Sequence, residues 1–264
     1  MIGRAVPALF ALLVLSSVPA LADTDHWSKS YQIEGQAKLH IDSSDASIRI
    51  DPSDKNQIEA TITTRGWGIG NGGIKIEDHQ SGDSVDIQVR FPHHWIGVGN
   101  RSVHIEIRAP RTTLLNLRTG DGGIDINGIS GDITADTGDG HIDIQDADGT
   151  LHATTGDGHI RVRGRFDGLC LKTGDGHIEA SALAGSRMSG AWALKSGDGS
   201  VTLRLPEAFA ADLDIHTSDG HIDLGFPVTI TGRMGSHEIR GRLNGGGGVL
   251  SVRTGDGSIH VDKL

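Results

Sequence analysis

Glycine content, a two-residue apolar period and one recurrent hexad predict an all-β chain. The expected architecture is a parallel β-solenoid or β-helix-like stack of 18-residue coils, with irregular β caps at both ends. Of 264 residues 39 are Gly and only 7 are Pro, which suits tight turns and excludes collagen-like or proline-rich linker readings. Apolar and polar residues alternate over short runs, the mark of a strand with one buried face. The hexad Thr119-Gly120-Asp121-Gly122-Gly123-Ile124 recurs from Thr137, Thr155 and Thr173, each start 18 residues after the last. Looser copies begin at Ser196, Thr217 and Thr254, and Ser44-Asp45-Ala46-Ser47-Ile48 is a degenerate early copy.

Taken in chain order, residues 1–22 read as a signal peptide. Arg4 precedes an apolar run from Ala5 to Leu15, and Ala20-Leu21-Ala22 supplies the small-residue cleavage site. The run is too short to span a bilayer and no later segment approaches the ~20 apolar residues needed, so no transmembrane anchor is expected. Cys170 is the sole cysteine, so internal disulfides are excluded. Residues 23–118 lack the 18-residue period but alternate at 38–42, 58–62, 85–89 and 103–107, and are expected to cover the N-terminal end of the β core. Residues 119–264 form the T-G-D-G repeat region, with 23–264 read as one continuous domain. Pro206 to Ala211 reads as an inserted connection, and Gly245 to Gly248 as a loop before the final strands.

Within a repeat, Ile142 and Ile144 alternate with Asp143 and Gln145, then Leu151 and Ala153 alternate with His152 and Thr154. Each repeat therefore holds two short strands and two Gly-containing turns. Ile129, Ala147 and Phe166 fall in the second turn and are expected to fill a corner of the core. Asp-Gly between alternating runs also suits an antiparallel meander. The stack is preferred because a coil supplies its own second layer and equal repeats stay in register. In the hexad turn the glycines are expected to take positive φ and the Asp carboxylate to accept nearby backbone N–H groups. The Thr hydroxyl is expected to bond the Thr above or below. Stacked carboxylates ~4.8 Å apart repel by about 0.9 kcal/mol in water and about 3.5 kcal/mol at an effective dielectric of about 20. The Asp row must therefore be wet, tied to donors or neutralised by a cation.

The run Leu205-Pro206…Phe209…Leu213…Thr217-Ser218-Asp219-Gly220 and the stretch from Leu243 through the Gly run to Thr254-Gly255-Asp256-Gly257 add a further signal. With the signal peptide and the hexads, they make the chain resemble the bacterial putative-adhesin family of β-strand-repeat proteins, largely a domain of unknown function. The resemblance covers most of residues 35–264. It implies a repetitive β-solenoid-like fold at the cell envelope, with adhesion suggested and no catalytic residues to carry over.

The candidate residues form a structural turn ladder: Gly120, Asp121, Gly138, Asp139, Gly156, Asp157, Gly174, Asp175, Gly197, Asp198, Asp219 and Asp256. No cofactor is expected unless Ca²⁺ sits between turns, for which Asp139, Asp157 and Asp175 are the candidate ligands. His141, His159, His177 and His221 follow the same turn and could bind Zn²⁺ or respond to acid. Trp67 and Trp95, in Gly-rich loops, could stack on sugars. The run from Gly68 to Gly73 satisfies G-x-G-x-x-G but no helix pattern follows it, so dinucleotide binding is excluded. A net charge of −10 argues against a nucleic-acid partner.

The leading function is an exported, non-catalytic envelope or surface module, in the periplasm or outside the cell, whose partner is an envelope protein or polysaccharide. The alternatives are a polysaccharide-active β-helix enzyme (a lyase or hydrolase) and a Ca²⁺-stabilised structural solenoid.

Overall fold

A computed structural model describes residues 24–92 and 101–264. The expected signal segment and Trp95 with His93 and His94 lie outside the described residues. The described chain is built from strands, and no helix among them is long and apolar enough to cross a membrane.

The first nine strands are β1 (Thr24–Gln32), β2 (Ala37–Ser43), β3 (Ser47–Ser53), β4 (Gln57–Arg65), β5 (Lys75–Ser81), β6 (Ser84–Arg90), β7 (Ser102–Pro110), β8 (Thr113–Arg118) and β9 (Ile124–Asn127). The regular middle holds β10 (Ser130–Asp136), β11 (Ile142–Thr154), β12 (Ile160–Lys172), β13 (Ile178–Ala182), β14 (Trp192–Lys195) and β15 (Val201–Leu205). Then come β16 (Ala211–Thr217), β17 (Ile222–Leu224), β18 (Val228–Met234), β19 (Glu238–Leu243), β20 (Val249–Thr254) and β21 (Ile259–Lys263).

These strands form two parallel ladders. The first runs β6, β2, β8, β10, the second half of β11, the second half of β12, β14, β20 and β16. The second runs β7, β3, β9, the first half of β11, the first half of β12, β13, β15, β21 and β17. Ile142 faces Ile160 and Ile160 faces Ile178, so in the middle each strand pairs with the residue one repeat on. Pairing between repeats is thus parallel and not that of an antiparallel meander. β11 and β12 each pass from one ladder to the other through a register shift near Asp146, which takes φ 52°, and Gly149, at φ 127°. The inward side chains, including the corner residues Ile129, Ala147 and Phe166, are buried in one continuous core. Cys170 points outward and is exposed.

Rung order departs from chain order at both ends. The rung β2–β3 lies between β6–β7 and β8–β9, although β6 and β7 come later in the chain. The last rung, β20–β21, lies between β14–β15 and β16–β17. Antiparallel strands close three of the four ladder ends. β5 pairs with β6, β4 with β7 and β1 with β4, while β19 pairs with β16 and β18 with β19. Covering strands remove the unpaired N–H and C=O groups that would otherwise recruit another chain. The fourth end, β17, is only three residues long.

The hexad turns stack directly on one another, and their chemistry differs from the expectation in three respects. None of the hexad glycines takes positive φ; the positive-φ glycines lie elsewhere, in other turns and at the corners of β10 and β11. Glycine is required there because the backbones touch. A Cβ on Gly158 would stand 1.9 Å from the carbonyl oxygen of Gly140, and one on Gly140 would stand 2.0 Å from that of Gly122. The first glycines form a chain of hydrogen bonds. Gly138 N–H donates to Gly120, Gly156 to Gly138, Gly174 to Gly156, Gly197 to Gly174 and Gly255 to Gly197, each at 2.5 Å. At the last step Ser218 replaces glycine, and its N–H reaches Gly255 at 2.9 Å, a wider spacing that makes room for the Cβ.

The threonine hydroxyl bonds to backbone and not to another threonine. Thr155 Oγ1 donates toward the Gly138 and Gly140 carbonyls of the neighbouring rung, at 3.2 and 2.8 Å. It also accepts Gly158 N–H of its own turn at 3.3 Å. Because Thr takes this donor, the aspartates are not the turn caps. Asp121, Asp139, Asp157, Asp175, Asp198, Asp219 and Asp256 are exposed. Their mutual repulsion is therefore screened by water.

Two outcomes follow from this packing. Gly158→Ala should lower stability by at least about 2 kcal/mol through overpacking, whereas Asp157→Ala should change it by less than about 0.5 kcal/mol, both read from urea melts. Equal losses would contradict the contact argument. In a Cys170→Ser background, Ala193→Cys with Ser251→Cys should oxidise to a disulfide, because these residues are paired across adjacent strands. Ala193→Cys with Asp214→Cys should not, since β20 separates them. The reverse pattern would restore chain order to the rungs.

Candidate binding face

Strand alternation sends every second residue outward, and equal offsets in successive rungs place those residues in columns. On the second ladder one such column reads Asp125, Asp143, Arg161, Glu179. Arg161 reaches Asp143 at 3.5 Å through Nη1 and Glu179 at 3.2 Å through Nε. Arg204, one rung on, donates to the same Glu179 at 2.5 Å. Hydrogen bonds from Arg204 and then Arg161 hold the Glu179 carboxyl below the usual carboxylate range. The face is therefore densely charged, with Arg161 and Arg204 bridging successive carboxylates and acidic groups in excess along the column. Exposed pairs of this kind contribute little to stability, so the column is a surface feature rather than a fastening.

Beside it runs the histidine column. His141 and His159 stack with ring centroids 5.4 Å apart and planes 11° from parallel. Gly123 occupies the equivalent position in the preceding rung, where a Cβ would come within 2.3 Å of the His141 ring. His177 accepts the Ser200 backbone N–H on Nδ1 at 3.1 Å. The row expected from the hexads is interrupted by Ser200 and Ser258, so His221 stands apart from the other three. His159, Arg161, His177 and Glu179 surround a shallow depression floored by Ile160. It offers donors, an acceptor and imidazole edges to a polar ligand.

At the opposite corner Arg165 binds Asp148 and Asp167, the latter at 2.8 Å, and Arg187 adds a contact to Asp167 at 3.2 Å. This cluster ties the irregular segment 183–191 to the regular rungs. Trp192 beneath it is buried, edge-on to Phe166 at 6.4 Å. Trp67 is half-buried at the N-terminal end, with Phe91 edge-on at 6.1 Å and the Arg101 guanidinium 4.2 Å from its ring centroid. One face of that ring is thus occupied by a cation.

Burial first, then the neighbouring His141 and Arg161, lowers the His159 imidazole below its ordinary value of about 6.5, against a smaller opposing effect of Asp143. The folded chain therefore resists a proton that the unfolded chain accepts. Stability should fall as pH drops from about 6.5 toward the lower folded value. His159→Gln should flatten the pH dependence of thermal melting over that window. An unchanged slope would show that the stacked pair does not carry it.

No curated protein matches the chain. Among solved structures, a putative adhesin from Bacteroides fragilis aligns at 14% identity with a TM-score of 0.49, covering 91% of this chain and 97% of that one. A putative lipid binding protein from Parabacteroides distasonis aligns at 12% identity and a TM-score of 0.45, covering 91% and 98%. A putative cell adhesion protein from Clostridium sporogenes aligns at 12% identity and a TM-score of 0.39, covering 92% and 100%. Residues 150–262, from the corner of β11 through β21, match the family model described as Toastrack DUF4097.

Proposed function

We propose that this chain is an exported, non-catalytic binding module of the cell envelope or surface. It would be one continuous domain over 23–264 whose 18-residue coils, closed by irregular β caps, present a flat charged face to an envelope protein or polysaccharide. The supporting observation is the column Asp143–Arg161–Glu179, with the depression between His159, Arg161, His177 and Glu179 beside it. The stacked imidazoles of His141 and His159 recur 5.4 Å apart, close to the strand spacing, which suits a ligand that is itself extended and repetitive. A surface of paired charges and imidazoles selects through many weak polar contacts. In this proposal calcium would bridge the exposed carboxylates of Asp139, Asp157 and Asp175.

The test is a screen of envelope polysaccharides for retention and for product release. Retention without product is expected, weakened by His159→Ala and Arg161→Ala together while the melting temperature at pH 7.5 holds. Turnover abolished by a single substitution would overturn the reading in favour of a polysaccharide-active enzyme.

A further inference from the structure

The displaced last rung brings His260 beside His221 and Asp223, which lie 39 and 37 residues earlier in the chain. Asp223 on β17 lies directly opposite His260 on β21, and His221 precedes β17 by one residue. Asp223 Oδ2 is 3.1 Å from His260 Nδ1 and 3.3 Å from His221 Nε2, and the three donor atoms lie within 4.8 Å of one another. Among the described residues this is the group of three or more His, Cys, Asp or Glu side chains so arranged.

We propose that His221, Asp223 and His260 form a binding site for a divalent transition-metal ion of the Zn²⁺ class. Ligands about 2.0–2.1 Å from a tetrahedral ion stand roughly 3.3 Å apart, close to the two separations found here. The orientation of His221 supports the same assignment. Its Nδ1 is 3.0 Å from the Ser258 hydroxyl. With Nδ1–H donated to that oxygen, Nε2 is left as an acceptor facing the Asp223 carboxylate. In that tautomer a cation between them takes both lone pairs; in the other, the Ser258 hydroxyl donates to Nδ1 and Nε2–H bonds Asp223 directly. A partner on the second ring nitrogen is also what fixes the tautomer of a metal-bound histidine. Two imidazoles and one carboxylate suit zinc and its neighbours better than Ca²⁺, which prefers oxygen ligands throughout. His221 and Asp223 are exposed and His260 is half-buried, so three protein ligands leave a coordination position open to water or to a donor from outside. The site would also pin β17, a three-residue strand at the open end of its ladder, to the rung inside it.

The experiment uses the full chain, stripped with chelator and titrated with ZnCl₂ by calorimetry at pH 7.5. One ion per chain is expected, with affinity reduced roughly tenfold or more in Asp223→Asn and in His260→Ala and unchanged in His159→Ala. Imidazole ¹⁵N resonances of the unsubstituted chain, followed through the same titration, should shift for His221 and His260 and not for His141 or His159. This second readout does not depend on how the variants fold. Absence of binding would overturn the proposal. So would binding that survives both substitutions, or shifts confined to the His141–His159 pair.

Discussion

The stack depends on the direct approach of backbone to backbone at the hexad turn. One glycine N–H per step reaches the carbonyl of the glycine below. A second glycine keeps its Cα where a Cβ would collide with the next carbonyl, and a buried threonine hydroxyl links the two turns. The turn fixes each rung in register with the next. Alternation then carries isoleucine, leucine and valine into the core and charged residues to the surface, and a slip of one residue would reverse both. The side-chain columns follow from that register.

Much of this was legible in the residues. The alternation around Ile142, Ile144, Leu151 and Ala153 marks the buried face, and the 18-residue spacing matches the pairing of Ile142 with Ile160. The atomic role of each turn residue was less accessible. Glycine is so often a device for positive φ that its other use, allowing contact, is easily passed over. Asp is so common a turn cap that the exposed position of Asp139 had no sequence signal. Thr and Asp compete for the same turn donors, and composition alone does not say which prevails.

Rung order was hidden for a different reason. Nearly identical hexads can stack in any sequence, so local pattern cannot rank them. A trace of the order exists in hindsight: Ser44 and Ser218 replace the first glycine, and they lie at the two ends of the turn ladder, where spacing can widen. The group formed by His221, Asp223 and His260 was hidden with the order. The His-x-Asp pattern leading into β17 places both side chains on one face, but His260 joins them only because β21 is inserted beside β17. In the regular middle, neighbouring hexads put histidine next to histidine. At the displaced end, hexads of unlike composition meet, and different ligand types converge. The charged column and this end cluster are thus two products of one stacking rule, applied where the repeats agree and where they do not.

Amide hydrogen exchange of the turn glycines, resolved by NMR, tests the stacking rule most directly. Gly138, Gly156 and Gly174 sit in surface turns, yet their N–H groups are the donors of the ladder. Exchange of all three at the rate of global unfolding, as slow as that of Ile144 or Val162 in the strands, is the result this account predicts. Rapid exchange, like that of the open loop glycine Gly72, would contradict it.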